Sequence, residues 1–253
     1  MEQEEAIDAA HQDPYLTTHP LTPDRIAFVK DHLARSPYKD AQLPSGFDSG
    51  FDMVKAKLDG FLDSPGPTYR AYAAKETTPA VRYARVVLSH RMGDEAGSLR
   101  LLDGLIAEQP SSPWLQELKG QVLFESGSGR AALAPYQQAV RLAPDQPLIR
   151  QSLAHVMIES NDPALLRPAI DHLQTALRYD REDDETWHWL GVAWGRLGNL
   201  GEANLALAEE AMLQNDIRSA RRFAQEAAGA LPPGPSKLRA LDISNAVKRE
   251  NRT

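Results

Sequence analysis

A pattern of small and large residues repeats through the middle of this chain with a period of about 34 residues, and it constrains the fold more than any other feature. Counted from Pro113, the pattern occupies these positions: Gly120, Leu123, Gly127, Ala132, Tyr136, Ala139 and Pro144. Small residues let two helices cross closely, larger residues fill the space beside them, and a proline ends the second helix. The repeat therefore predicts stacked pairs of antiparallel helices.

Two further units continue the pattern. The second has Ala154, Ala169, Leu173 and Ala176, and the third has Trp187, Leu190, Gly191, Trp194, Gly198 and Ala203. Ala139 and Ala176 are 37 residues apart, and we expect a lengthened loop at residues 161–166 to absorb the surplus. These residues resemble the tetratricopeptide repeat signature. The resemblance implies an all-α fold, a tetratricopeptide-like α-solenoid in which antiparallel helix pairs form a right-handed superhelix.

The flanking segments divide the chain into three predicted regions. Residues 46–112 carry degenerate helical repeats, residues 113–253 carry the repeats proper, and residues 1–45 are separate, with a linker rich in Pro, Gly, Ser and Asp. We expect about 10 helices after residue 46. The helix near residues 200–213 should close one unit and open the next. A final helix, Ser236–Glu250, should cap the array with apolar residues at Leu238, Leu241, Ile243 and Val247.

Composition excludes several classes of function. The net charge of −7 and the absence of a basic run interleaved with aromatic residues argue against nucleic acid as a partner. There is no cysteine, so disulfides and thiolate zinc sites are excluded, while the compartment stays open. No apolar run approaches the ~20 residues of a transmembrane helix, and the acidic start MEQEEAIDAA is not a signal peptide.

No catalytic or cofactor motif stands out against its structural alternative. None of the seven histidines begins the HExxH motif of zinc peptidases. His155 and His188, with Glu159 or Glu185, are open to interpretation as a metal site, but polar residues commonly meet at such positions of adjacent repeats. We therefore predict that this chain has no catalytic residue, no metal site and no cofactor, and that by itself it is not an enzyme.

Repeat arrays of this kind bind proteins or peptides along the first helix of each pair, which lines the concave face. Positions 2, 5, 9 and 12 of the units are Trp114, Glu117, Gln121 and Phe124, then Leu148, Gln151, His155 and Ile158, then Glu185, His188 and Val192, with Arg196 one place further along. Apolar anchors and amides suit an extended or helical peptide. The predicted groove residues are Trp114, Glu117, Gln121, Phe124, Gln151, His155, Glu185, His188 and Arg196. Trp114 and Phe124 have the alternative role of packing between repeats.

A second resemblance covers essentially the whole chain. The motif DPYLTTHPLTPDRI, a Pro- and Ser-rich break and repeats ending in LALAEEAML resemble the C-terminal region of bacterial periplasmic zinc metalloproteases of the β-barrel assembly-enhancing type. In that family the zinc-binding HExxH helix lies upstream of the Thr-His-Pro motif, so its catalytic part is absent here. The resemblance implies a fragment of a zinc metalloendopeptidase, with Met1 at the fragment boundary and the tail of the catalytic domain in residues 1–45.

The same resemblance implies a role, a compartment and partners. The expected role is that of a periplasmic interaction domain that binds client proteins, or the outer-membrane β-barrel assembly machinery, and presents them to its own catalytic domain. His19 is either a loop imidazole that reaches the zinc of the parent protein or part of a simple turn before the helix at Thr22. The alternative to this whole interpretation is a free-standing tetratricopeptide adaptor unrelated to proteolysis.

Overall fold

The computed structural model describes residues 22–42, 44–73 and 77–250, and within these residues it contains thirteen α-helices and no β-strand. The helices are α1 Thr22–Arg35, α2 Phe47–Leu62, α3 Pro65–Ala73, α4 Pro79–Arg91, α5 Glu95–Glu108, α6 Pro113–Glu125, α7 Gly129–Leu142, α8 Pro147–Glu159, α9 Pro163–Tyr179, α10 Asp184–Arg196, α11 Leu200–Leu213, α12 Ile217–Ala230 and α13 Pro235–Glu250. The protein forms two compact units, Met1–Phe51 and Asp52–Thr253.

Short turns join the helices of the second unit into pairs, α4 with α5, α6 with α7, α8 with α9, and α10 with α11. Each of these turns contains one residue with a left-handed backbone: Gly93, Gly127, Asn161 and Gly198. Glycine and asparagine tolerate positive φ, which explains their place after the first helix of each pair. The all-α repeat fold predicted from the sequence is confirmed.

The two helices of a pair approach each other through the small signature residues. A methyl group at Gly120 of α6 would lie 2.5 Å from the Tyr136 ring of α7, and one at Gly191 of α10 would lie 2.9 Å from Leu207 of α11. Ala132 and Ala139 of α7 and Ala169 of α9 are also fully buried. Close packing of this kind leaves no room for larger side chains.

The prediction of a lengthened loop before α9 was wrong. Three residues connect α8 to α9, as three residues connect α6 to α7. The surplus instead lengthens α9, which has 17 residues where α7 has 14. Asp162 explains this result, because its side chain accepts a hydrogen bond from the Ala164 backbone N–H and starts the helix, with Pro163 at the first helical position.

The region before the repeats proper contains more helix than the sequence predicted. Twelve of the described helices, α2 to α13, follow residue 46, where we expected about 10. The unexpected element is α3, whose sequence PGPTYRAYA resembles a loop but which packs against α4. In the first unit, α1 begins at Thr22, and its residues Phe28, Val29 and Leu33 are exposed.

The C-terminal end differs from the other pairs, because α11 packs extensively against both α10 and α12, as its sequence predicted. The final helix α13 covers α12 and also contacts α11. Its buried residues are Ala240, Ile243 and Ser244, whereas Leu238 and Leu241, which we expected to face the array, are exposed. The small Ala240 allows the close approach that a leucine at this position would prevent.

Candidate peptide-binding groove

Aromatic and imidazole rings from three successive first helices form a continuous row, which we call the ring ladder. The Phe124 ring of α6 meets the His155 ring of α8 edge to face, with centroids 5.1 Å apart. His155 in turn stacks on Trp189 of α10 at 3.8 Å, and Trp189 meets His188 edge to face at 5.4 Å. The four rings are partly exposed, so the ladder offers an apolar and polarisable surface along the groove.

His155 lies at the centre of the ladder, between Phe124 and Trp189. Burial lowers the pKa of His155, while the nearby carboxylates of Glu159 and Glu185 act in the opposite direction. The net effect favours the neutral imidazole. A neutral ring stacks on an indole without the cost of removing a charge from water.

The N-terminal side of the ladder is acidic. Burial raises the pKa of Glu117, Lys57 counteracts this rise, and Glu125 adds to it. The Glu125 carboxylate accepts a hydrogen bond from Gln121 Nε2 at 2.8 Å and lies 2.8 Å from His90 Nε2. The raised pKa of Glu117 favours its neutral form, so Glu125 is the carboxylate that favours a positively charged ligand at the Phe124 end of the groove.

Other predicted groove residues of the first and third units also contact neighbouring side chains. Trp114 is 45% exposed, and the Lys57 ammonium lies 6.0 Å from the centroid of its ring. Trp189 Nε1 donates to Glu185 Oε1 at 3.3 Å, and His188 Nδ1 lies 3.2 Å from both carboxylate oxygens of Glu210. The acidic character therefore continues along α10 and α11.

Gln151 of α8 is 7% exposed, and its side-chain Nε2 is a buried donor with no hydrogen-bond partner among the described residues. An unpaired buried donor is costly, and a carbonyl oxygen would relieve that cost. Its predicted role as a backbone-binding amide stays a prediction. Within the same unit, Leu148 is exposed and Ile158 is fully buried, so the latter contributes to the core.

Arg196 has a structural contact that the sequence did not indicate. Its guanidinium donates to the backbone oxygen of Ile158 and, at 2.9 Å, to Glu159, both at the end of α8. Arg91 of α4 makes the same kind of contact with the end of α2, donating to the oxygens of Gly60 and Asp63 at 2.6 and 2.7 Å. These arginines donate to backbone carbonyls at the C-terminal ends of α8 and α2 and so cap those helices. A further role of Arg196 in peptide binding stays a prediction.

Sequence reasoning missed Trp189, although it is the ring that extends the ladder onto α10. The ladder residues are at position 12 in the first unit, position 9 in the second and position 6 in the third. Each step to the next helix moves three residues toward the N-terminus, which is almost one helical turn. A search for aromatic residues along this diagonal would have found Trp189, whereas a search at fixed positions does not.

The described residues contain no group of three or more histidine, aspartate or glutamate side chains placed to hold a metal ion. His155 and His188 both contact the Trp189 ring, with centroid distances of 3.8 and 5.4 Å. His19 and the DPYLTTHP motif lie outside the described residues. Among the described helices, none combines the length and the apolar character needed to cross a membrane.

Comparisons with known proteins agree with the helical repeat fold. The family model described as "Tetratricopeptide repeat" matches residues 80–217, which is more than half of the sequence. A Beta-barrel assembly-enhancing protease of Yersinia pestis is 22% identical over 227 residues, covering 87% of this chain and 45% of the relative. The chain thus spans less than half the length of that protease.

Solved structures show the same fold at low sequence identity. The C-terminal part of a TPR repeat-containing protein from Cytophaga hutchinsonii has a TM-score of 0.55 and 14% identity, covering 79% of this chain and 80% of that one. YrrB, described as a TPR protein with an unusual peptide-binding site, has a TM-score of 0.53 and 15% identity, covering 69% and 90% respectively. Both structures support a repeat array of paired helices.

Proposed function

This chain belongs to the tetratricopeptide repeat proteins, and on that premise we propose that the surface formed by α6, α8 and α10 binds a segment of another protein. The observation that carries the proposal is the ring ladder of Phe124, His155 and Trp189, which crosses three first helices. Stacked rings supply contact area with little loss of side-chain freedom. The fold is suited to protein–protein interaction, and the ladder is where a ligand finds apolar anchors.

The charges around the ladder define the preferred ligand. Glu125 and Glu185 are exposed beside the rings, Glu117 and Glu159 lie on α6 and α8, and Glu210 lies on the neighbouring α11. An extended or helical segment that combines large apolar side chains with lysine or arginine complements this surface. In this proposal the buried and unpaired Gln151 Nε2 donates to a ligand carbonyl.

We further propose that the chain is the interaction region of a periplasmic zinc metalloprotease that acts in outer-membrane protein assembly and quality control. Support comes from the name and the 22% identity of the Yersinia pestis relative, of which this chain spans 45%. In this proposal the catalytic zinc belongs to the parent protein. The groove holds clients or assembly components near that zinc and raises their effective concentration there.

The alternative is an adaptor of the same fold with no link to proteolysis. Both proposals require a ligand in the groove, so binding does not separate them. The coding sequence immediately upstream does. An HExxH motif preceded by a signal peptide would support the protease, whereas an in-frame stop codon just before Met1 would leave the adaptor.

Binding in the groove is tested with an array of overlapping 15-residue peptides from bacterial β-barrel proteins, followed by anisotropy titrations of those that bind. Trp189→Ala should weaken binding about tenfold, because it removes the ring that extends the ladder onto α10. Tyr179→Ala is the matched control, since Tyr179 is an exposed aromatic residue that has no place in the ladder.

A charge-reversed variant, Glu125→Lys with Glu185→Lys, changes exposed positions and keeps the core intact. It should weaken the binding of basic peptides more than the binding of neutral ones, and high salt should reduce this difference in affinity. Melting curves show whether each variant is folded. If both folded variants bind every peptide with the affinity of the unchanged protein, the groove is not the binding surface.

A further inference from the structure

A cleft of about 410 Å³ opens between α9, α10 and α11. Its floor is apolar and buried, and two half-buried indole rings form its walls. The floor residues are Leu177, Leu190, Leu205 and Ala206, and the walls are Trp187 and Trp194. The cleft is therefore large enough, and apolar enough, for one large side chain of a ligand.

The cleft and the groove lie on opposite faces of α10. At about 100° per residue, Trp187, Leu190 and Trp194 fall within roughly 60° of one another around the helix axis. Glu185, His188 and Val192 are centred roughly 180° away from them. A ligand in the cleft would thus leave the ring ladder free.

In the preceding repeat, polar side chains occupy the place that corresponds to the cleft. Arg150, 37 residues before Trp187, donates to the Pro144 oxygen at 2.6 Å, just as Trp187 Nε1 donates to the Arg181 oxygen at 3.0 Å. Arg150 also lies 3.1 Å from His172 Nδ1 of α9, so polar side chains fill this place.

In the third repeat the position of His172 is taken by Ala206, because Ala169 and Ala203 are the corresponding small residues of the two second helices. A methyl group replaces an imidazole, and the space between the tryptophans stays open.

The rim of the cleft is basic. The exposed side chains of Arg178 and Arg181 line it and make no hydrogen bond or ion pair with any residue that the structure describes. By contrast Arg141, the counterpart of Arg178 in the preceding repeat, donates to Gln138 Oε1 at 2.9 and 2.7 Å. Gln174 and one carboxylate, Glu202, also line the cleft. Two guanidinium groups against one carboxylate leave a net positive rim.

We propose that this cleft is a second peptide-binding site, which takes a large apolar or aromatic side chain lying next to a carboxylate. The side chain enters between Trp187 and Trp194, and Arg178 and Arg181 bind the carboxylate through charge-assisted hydrogen bonds. Its charge preference is opposite to that of the acidic groove. The carboxylate belongs to an aspartate or glutamate side group or to the free C-terminus of a peptide.

Tryptophan fluorescence titrations with short synthetic peptides test the site. The probes are end-blocked Gly-Asp-Phe-Asp-Gly, its neutral counterpart Gly-Asn-Phe-Asn-Gly, and Ser-Gly-Ser-Gly-Phe with a free or an amidated C-terminus. We expect each carboxylate-bearing peptide that binds to do so about tenfold more tightly than its neutral partner. If Gly-Asp-Phe-Asp-Gly binds more tightly than its neutral counterpart, the carboxylate belongs to an acidic side chain. If Ser-Gly-Ser-Gly-Phe with a free C-terminus binds more tightly than its amidated form, the carboxylate is a C-terminus.

Variants then locate the site. Arg178→Glu with Arg181→Glu changes only exposed rim residues and should abolish the preference for a carboxylate. Ala206→His, which copies the filled cleft of the preceding repeat, should remove binding of all the peptides. Arg141→Ala, the matched control one repeat earlier, should bind as the unchanged protein does.

Groove variants separate this proposal from the proposed function. Glu125→Lys with Glu185→Lys should leave binding to the cleft unchanged, whatever it does to ligands of the groove. The proposal is overturned if no carboxylate peptide binds below about 1 mM, which corresponds to about −4 kcal/mol. It is also overturned if the folded Arg178→Glu, Arg181→Glu variant keeps its preference for a carboxylate.

Discussion

His155 joins the packing of the repeats to the surface that would bind a ligand. Its ring touches Phe124 on one side and Trp189 on the other, so it belongs to the groove and also holds α6, α8 and α10 together. Removing any one ring of this ladder would therefore change stability and binding at once, which is why binding data on ladder variants need melting curves beside them.

Protonation of His155 should weaken the fold. Because its pKa is lowered in the folded protein, the unfolded state binds more protons just below the ordinary value of 6.5. The unfolding free energy should then fall as the pH is lowered from about 6.5 toward the folded pKa. Below the folded pKa the folded state also binds the proton, so the unfolding free energy should level off. His172, whose pKa burial also lowers, acts in the same direction.

The His155→Phe variant keeps a ring in the ladder and removes the titration. Urea unfolding between about pH 7 and pH 5 should show a shallower loss of stability than in the unchanged protein. Val29→Ala, at an exposed position of α1 with no titrating group, is the control and should leave the pH dependence of unfolding as it was. If the stability of His155→Phe depends on pH as steeply as that of the unchanged protein, His155 does not cause the loss of stability at low pH.

At the scale of helices, small residues decide how closely the two members of a pair approach. Gly120 and Gly104 both lie inside helices, but only Gly120 faces another side chain at short distance. A methyl group at position 120 would lie within 2.5–2.7 Å of three Tyr136 ring atoms, and that ring is itself buried. Position 104 has open space.

Alanine substitutions at the two glycines should therefore change the stability of the protein in opposite directions. Gly120→Ala should destabilise the protein by about 1–3 kcal/mol, because α6 and α7 must separate. Gly104→Ala should stabilise it by about 0.5–1 kcal/mol, because alanine has the higher helix propensity. Chemical denaturation measures both, and a Gly120→Ala variant as stable as Gly104→Ala would show that the close crossing does not exist in solution.

The capping helix α13 is joined to α11 by a bidentate ion pair. Arg239 donates to both carboxylate oxygens of Glu209 at 2.6 Å, and Glu209 is 7% exposed. Arg239→Ala should cost about 1–3 kcal/mol, since it leaves a buried carboxylate unpaired. Adding Glu209→Gln should restore part of that loss. Denaturation of the single and double variants tests this, and equal stability of Arg239→Ala and the unchanged protein would contradict it.

For the molecule as a whole, the repeats present two surfaces of opposite charge preference on the two faces of α10. The groove is bordered by Glu125 and Glu185, while the cleft is bordered by Arg178 and Arg181. If both proposed sites bind, one molecule would hold two segments of the same partner, and the avidity would exceed the affinity of either site alone.

A peptidase assay tests the prediction from the sequence that this chain by itself is not an enzyme. It contains no HExxH motif, and the described residues contain no group of three metal-binding side chains. Incubation with fluorogenic casein, with and without added zinc, should therefore release no fluorescence beyond that of buffer, while thermolysin in the same assay should release it readily. Cleavage that a chelator abolishes would contradict this prediction.

The sequence by itself determined the helix pairs between residues 113 and 213, the turn at Gly127 and the close-contact positions Gly120 and Gly191. These features depend on neighbouring residues along one or two helices, so the repeating pattern of small, large and turn residues specifies them. Helix α3 and the extra turn of α9 escaped prediction, because Pro-containing segments that resemble loops also suit the first turn of a helix.

Only the tertiary structure decided which side chains meet between repeats. Trp189 joins the ring ladder, Arg196 caps the end of α8, and Ala206 leaves a cleft open where His172 fills one. Each of these results depends on the register of helices whose contacting residues are more than twenty positions apart in the sequence. This register follows from the packing of whole helices against each other. The periodic pattern within one repeat does not specify the register between repeats.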